Sequence, residues 1–308
     1  MYKKLIILTG AFIILAPIVL YFAFPGVVYN IFVQSARRSA GLSQKVITVD
    51  KFTIAYLEGG KGDTILLLHG FGGDKDNWTI FAKSLTPYFH VLAIDIPGFG
   101  KSSKIPTESY TIGNQVKRIR NIVDTLGLTN FHLAGNSMGG TIAGKYAADV
   151  PDRVLSLALF NTGGIYSAEK SDVIKLLERG ENPFLIDSSR GFDRMMALLF
   201  EMPPPIPRRI RAYLTEQAIS SRDFNKKIWN ELAGELYSLE SDLPRIRAET
   251  FIVWGEKDRI LHVSSTRILE KNLPRADTII IEGCGHVPML EKPHETAEYY
   301  LEFLNMVR

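Results

Sequence analysis

The sequence predicts an α/β fold: a mostly parallel sheet with helices on both faces, an inserted helical cap, and an apolar helix ahead of both. Three observations predict it. Short apolar runs alternate with amphipathic stretches across residues 42–162 and again across 244–308. Between these blocks, from about Gly163 to Leu243, helical stretches follow one another without a convincing strand run. At the start, Leu5 to Phe24 reads LIILTGAFIILAPIVLYFAF, and no charge appears from Leu5 through Ala36. The expected division is therefore a membrane anchor and juxtamembrane segment in 1–41, a core in 42–162 and 244–308, and a cap in 163–243.

The elements follow in order. A run of about 20 apolar residues matches the ~30 Å hydrocarbon core of a bilayer, and Gly10 and Pro17 are tolerable inside such a helix. The competing reading, a cleaved signal peptide, needs an apolar region of ~7–15 residues and a small-residue cleavage site. Phe24-Pro25-Gly26-Val27-Val28 offers no such site. Lys3 and Lys4 abut the run on one side; Arg37, Arg38 and Lys45 lie farther off on the other. Counted near the ends, these charges favour an N-terminus inside and a translocated domain. Val46–Val49 and Phe52–Tyr56 alternate like a hairpin. Ile65–His69 and His90–Asp95 read as buried strands. Tyr110–Leu126 places Ile112, Val116, Ile119, Ile122, Val123 and Leu126 on one helical side. Phe131–Ala134 is a strand, Thr141–Val150 a helix stopped by Pro151, and Val154–Phe160 a strand. The inserted stretch holds helices over Asp172–Glu178, Arg194–Phe200, Ile210–Ser220 and Phe224–Leu239, divided by Pro203-Pro204-Pro205-Ile206-Pro207. Strands over Phe251–Trp254 and Asp277–Ile281 and helices over Val263–Asn272 and Glu295–Met306 complete the sheet. An insert at this point covers the C-terminal edge of the strands, where open α/β sheets bind ligands.

Composition excludes several classes. Of 308 residues 46% are hydrophobic and 22% charged, which suits a globular chain and not a disordered one. Lys and Arg number 36 against 33 acidic residues, with no basic tract longer than two, so no nucleic-acid partner is expected. A single cysteine, Cys284, allows no internal disulfide and no multi-cysteine zinc site; it reads as a small packing residue. No metal and no cofactor are expected. Two phosphate-loop look-alikes fail: Tyr146 fills the hydroxyl position in the stretch from Gly139, and Asp95 replaces the first glycine of the stretch ending Gly100-Lys101-Ser102.

The sharpest chemical signal is Gly135-Asn136-Ser137-Met138-Gly139, a G-x-S-x-G set between a predicted strand and a predicted helix. A nucleophile on such a turn sits in strained backbone, and the helix start offers free N–H groups and a partial positive charge. A serine needs a base and an oriented acid, expected in the order Ser, Asp, His. Of six histidines, His286 lies on a loop just after the last strand. Asp258 lies just past the preceding strand, with Glu256 as the rival acid. The alternative acid position, after the strand ending at Phe160, holds Asn161 and no carboxylate. Acyl transfer also needs oxyanion donors, and the backbone amides of Phe71 (in His69-Gly70-Phe71-Gly72-Gly73) and Met138 stand in the right places. His69 reads as a fold-supporting hydrogen-bonding residue. Met195, Met196, Leu198, Leu199, Phe200 and Met202 could line an acyl pocket or pack the cap on the core.

These features resemble the α/β-hydrolase family over essentially the whole chain after the anchor. The likeness is nearest to the membrane-anchored monoacylglycerol lipases and related bacterial lipases. It is carried by Gln115-Val116-Lys117-Arg118-Ile119, Phe131-His132-Leu133-Ala134-Gly135, Ser137-Met138-Gly139-Gly140 with Ala143-Gly144, Trp254-Gly255 and Gly283-Cys284-Gly285-His286. The apolar N-terminus followed by Arg37-Arg38 belongs to the same likeness. The resemblance implies a triad of Ser137, Asp258 and His286, oxyanion amides at Phe71 and Met138, and a lipid ester such as a monoacylglycerol as substrate. Asn136 departs from the threonine common in that group. Animal members face the cytosol, against the orientation the charges favour.

Two rivals share parts of the pattern. Carbon–carbon bond hydrolases of ring-cleavage products share Gly-Asn-Ser-Met-Gly-Gly, but they usually carry a Trp soon after the histidine, where this chain has Val287-Pro288-Met289-Leu290. A non-enzymatic binding protein on the same scaffold would typically have lost triad members; all are present.

Overall fold

A computed structural model describes residues 17, 19–165, 169–235 and 238–307. Eight strands form one sheet: β1 (Leu42–Val49), β2 (Phe52–Gly59), β3 (Thr64–Leu68), β4 (His90–Ile94), β5 (Phe131–Asn136), β6 (Val154–Phe160), β7 (Glu249–Gly255) and β8 (Ala276–Ile281). Their spatial order is β1-β2-β4-β3-β5-β6-β7-β8. The β1–β2 and β2–β4 pairs are antiparallel and every later pair is parallel. The hairpin is longer than the alternating pattern showed, running from Leu42 to Gly59 around a turn in which Asp50 takes φ +52°.

The helices are α1 (Pro25–Ser39), α2 (Thr79–Leu85), α3 (Ile112–Thr125), α4 (Met138–Asp149), α5 (Asp172–Glu178), α6 (Ser189–Leu199), α7 (Arg208–Ser220), α8 (Arg222–Leu232), α9 (Ser265–Asn272), α10 (Pro288–Glu291) and α11 (Pro293–Met306). Helix α3 buries Ile112, Gln115, Val116, Ile119, Ile122 and Val123, the side its periodicity marks. Alternation along each strand splits the core in two. Leu66, Leu68, Leu92 and Ile94 face α3 and α4 with Ile119, Ile142 and Tyr146. Ile65, Leu67, Val91 and Ala93 face α2 and α11 with Trp78, Phe81, Tyr300 and Phe303. Each fully buried Leu or Phe contributes up to ~1.5–3 kcal/mol.

The insert between β6 and β7 departs from expectation at two points: α6 begins at Ser189, ahead of the expected Arg194, and the helix expected over Phe224–Leu239 ends early. The helical pattern reads as continuous from Phe224 to Leu239, yet α8 ends at Leu232 and gives way to a 3₁₀ turn, Ala233–Glu235. Gly234 weakens the helix there. Glu231 and Glu235 instead accept hydrogen bonds from the backbone amides of Tyr110 and Ile112, which pins the end of α8 to the start of α3. The expected span 5–24 lies mostly outside the described residues. Residues 19–23 are helical, Pro25 opens α1 with Phe24 in a non-helical conformation, and among the described residues no helix is long and apolar enough to cross a membrane. On α1 Arg37 is buried, while Val27, Ile31 and Phe32 are exposed, as is Phe24 just before it.

Candidate active site

The tight turn at Ser137 is held by backbone. Ser137 has φ +55° and ψ −120° as the residue that caps α4. Such a conformation costs on the order of 1–3 kcal/mol and persists only where its surroundings over-determine it. Here Ser137 N–H donates to the Phe160 carbonyl (3.0 Å), and the Ser137 carbonyl accepts from Thr141 and Gly163, each at 3.1 Å. Close approach explains the two glycines. A Cβ on Gly135 would lie 2.2 Å from the Gly139 carbonyl oxygen, and one on Gly139 would lie 2.4 Å from that of Leu68. Helix α4 starts at Met138, so the Met138 amide is among the first-turn N–H groups without a helical partner.

Asp258 and His286 meet at the ends of β7 and β8. Aspartate Oδ2 accepts from His286 Nδ1–H at 2.8 Å and from the Asn161 side-chain amide at 2.7 Å. Its Oδ1 accepts from the backbone amides of Ile260 (2.8 Å) and Leu261 (3.0 Å). These four donors, two on each oxygen, fix the plane of the carboxylate. Glu256, the rival acid, points elsewhere, accepting from Gly283 N–H and Lys257; these bonds hold its carboxyl below the usual glutamate range. His286 N–H donates to the Leu199 carbonyl at the end of α6 (2.8 Å).

Two asparagines take part that the residue pattern does not single out. Asn136 donates its side-chain amide to the carbonyls of Phe160 (3.0 Å) and His286 (3.1 Å), tying the serine strand to the histidine loop. Asn161, in the left-handed region at φ +43°, sits at the position passed over for want of a carboxylate. It supplies the Asp258 partner instead. A buried polar side chain next to a strand end, needing a partner, is the signal that could have found both.

The loop after β3 carries Phe71. A Cβ on Gly70 would come within 3.1 Å of Ser137 Cβ, so this loop lies directly over the serine. His69 behaves as a supporting residue: Nδ1–H donates to the Gly70 carbonyl (2.7 Å), Nε2 accepts from Ile96 N–H (3.0 Å), and burial holds the ring below its ordinary pKa, hence neutral. Beyond the glycines, Asp74 caps the turn Lys75–Trp78. Its carboxyl is pushed up to about 6, by burial first and then by the Asp76 and Asp95 carboxylates. The buried Lys75 ammonium pairs with Asp95 at 3.0 Å. The amides of Lys75 and Lys101 also donate to Asp95, so a carboxylate fills the Gly100-Lys101-Ser102 turn.

A cavity of about 670 Å³ joins these parts. Ser137, Met138, Phe71 and His286 line it together. Val173, Leu177, Phe184, Ile186 and Met195 form an apolar wall, and the Phe184 and Trp229 rings stack at 4.9 Å. Of the six insert residues read as pocket or packing, Met195, Met196, Leu199 and Phe200 line the cavity, whereas Met202 is exposed. Polar residues line it as well, among them Asn30, Gln34 and Arg37 of α1, Asp74 and Asp76, and Lys101 and Lys104. Cys284 is buried two residues from His286, its thiol pushed up to about 12 by burial and by nearby Glu291. Among the described residues no group of three or more His, Cys, Asp or Glu side chains could hold a metal.

A family model for the alpha/beta hydrolase fold matches residues 63–293. The chain belongs to the α/β-hydrolase family. It is 33% identical to lipase 3 of Moraxella sp. (strain TA144) over 276 residues, covering 88% of this chain and 87% of that one. It is 31% identical to the Bos taurus monoacylglycerol lipase ABHD6 over 313 residues, covering 97% and 93%. Among solved structures it is similar to a membrane phospholipase A described as a bacterial virulence factor. That match has a TM-score of 0.91 and 44% identity over 99% of both chains. As a member of this family with lipase relatives, the protein is a serine ester hydrolase.

Proposed function

We propose that the protein is a membrane-anchored lipid hydrolase whose triad is Ser137, Asp258 and His286, with monoacylglycerols as its substrates. The observation that carries this reading is that one cavity of about 670 Å³ is lined by Ser137, by the Asp258-bound His286 and by an apolar wall. His286 takes the Ser137 proton as the serine oxygen attacks the ester carbonyl. The Phe71 and Met138 amides hold the oxyanion, a role in which one donor is worth ~2.7–4 kcal/mol. Asp258 orients the ring and stabilises its imidazolium without taking the proton. The alcohol leaves with the proton from His286, and water hydrolyses the acyl-enzyme. Residues 163–243 act as the cap that shapes the acyl site. Residues 5–24 anchor the enzyme, with the catalytic domain on the extracytoplasmic side; protease protection of intact cells tests that side.

A second reading of the head group is a phospholipid. It is favoured by the 44% identity to a protein described as a phospholipase A and by Lys101 and Lys104 in the lining of the cavity, which could hold a phosphate. Purified protein assayed on monoacylglycerols, phospholipids, short p-nitrophenyl esters and a ring-cleavage dienoate separates these readings. Ser137→Ala is expected to lower turnover of every substrate by a factor on the order of 10⁶. Preference for monoacylglycerols supports the first reading and preference for phospholipids the second. Turnover of the dienoate alone would overturn both.

A further inference from the structure

Helix α1 reaches the loop that carries the Phe71 amide. Between β3 and the Lys75 turn that loop runs Gly70-Phe71-Gly72-Gly73, with Gly72 at φ +72°. Three glycines in four residues leave its peptide planes free to turn unless both ends are fixed. The near end is β3. The far end is a knot in which Asp74 Oδ1 accepts from Asp76 N–H (2.8 Å) and Asp74 N–H donates to Asn77 Oδ1 (3.2 Å). Arg37 of α1 closes on this knot. Its Nε and Nη2 donate to the two carboxylate oxygens of Asp76 at 2.6 and 2.5 Å, and its Nη1 to Gln44 Oε1 at 2.9 Å. Arg37 is 2% exposed although it lies at the C-terminal end of a helix whose outer face is apolar and open.

We propose that Arg37 is a positioning residue for the reaction: through Asp76 it holds the far end of the oxyanion loop, so that α1 supports turnover as well as joining the catalytic domain to the preceding segment. The inference rests on the proposed role of Phe71. A planar two-oxygen clamp fixes the carboxylate in angle as well as in place, which an ammonium cannot do. The Lys75–Asp95 pair anchors the same turn to the sheet, so loss of the clamp leaves the loop attached but free to tilt. The consequence falls on transition-state stabilisation and leaves ground-state binding of a small ester alone.

The test uses full-length protein in detergent with p-nitrophenyl butyrate, a short ester with no charged head group for Arg37 to bind. Arg37→Met is expected to lower kcat about tenfold with KM within twofold, and to slow fluorophosphonate labelling of Ser137 in parallel. Arg37→Lys is expected to fall between Arg37→Met and wild type. Melting curves identify any variant that fails to fold. Should Arg37→Met be one, Arg37→Lys carries the test, since it keeps the charge and loses the two-point clamp. A folded variant of either kind with wild-type kcat would overturn the proposal. Wild-type protein that neither hydrolyses the ester nor takes the fluorophosphonate would instead overturn the reading of the site on which it rests.

Discussion

The two sides of the cavity are built by different means. On the Asp258–His286 side, position is set by main chain. Asp258 accepts from two backbone amides, His286 N–H meets a helix-end carbonyl, and Asn136 and Asn161 bridge neighbouring strand ends. On the side formed by α1, α7 and α8, position is set by side chains. Tyr29 and Tyr213 touch at 5.8 Å between ring centroids, and Phe71, Phe184 and Trp229 form an aromatic cluster. Helix α7 buries only Ile210 and Thr215. Hydrogen bonds fixed by the sheet make a geometry that tolerates little change. Ring packing between Phe184 and Trp229 makes an acyl wall that can be reshaped without undoing the chemistry, whereas α1 on the same side also carries the Arg37 clamp.

Three substitutions test that contrast. Asp258→Asn should have the largest effect. Whichever way the new amide turns, its NH₂ faces a donor: either His286 and Asn161, or the Ile260 and Leu261 amides. By comparison with the equivalent change in serine proteases, kcat should fall about 10⁴-fold. Steady-state kinetics on a soluble ester read it, and a loss below tenfold would mean that this corner is not the rigid one. Trp229→Ala removes a ring stacked on Phe184 and should act on selectivity. The ratio of kcat/KM between short and long acyl esters should shift roughly tenfold, with kcat on the best ester little changed. An equal fall in kcat on every ester would erase the distinction between the two sides.

The smallest effect is on stability. The Asp74 carboxyl is raised from 3.8 to about 6, so the folded state holds its proton more tightly than the unfolded chain does. Ionising it therefore weakens the fold. The cost is absent at low pH, grows as pH rises from about 4 to about 6, and is constant above that. Asp74→Asn keeps an acceptor at the cap and removes the charge. It should raise stability at pH 7 by roughly 1–3 kcal/mol, and the gain should vanish below about pH 4. Melting temperature against pH, variant beside wild type, measures both.

The same division explains what was legible beforehand. The sheet and the places of Ser137, Asp258 and His286 follow from strand ends and glycine spacing, which are local patterns. Short α2 has too few turns to show a period, and α8 reads as longer than it is because Glu231 and Glu235 reach across to α3. Asn136 reads as a departure from a family pattern and Asn161 as a missing acid, because their value lies in partners far along the chain: 150 residues to His286 and 97 to Asp258. Arg37 reads as a flanking charge, since nothing in its neighbourhood announces Asp76. Of the pocket wall, only its apolar composition is written in the sequence.

Cys284 makes the molecule convenient for spectroscopy. The only thiol of the chain is buried and held protonated, so maleimide and methanethiosulfonate reagents should pass it by in the folded protein. A cysteine introduced at Phe32, which is 69% exposed on the outer face of α1, would then be the one reactive site without any background mutation. A spin label there would report, through its accessibility to oxygen and to a water-soluble relaxant, whether that face rests in lipid while the opposite face of the same helix attends the cavity.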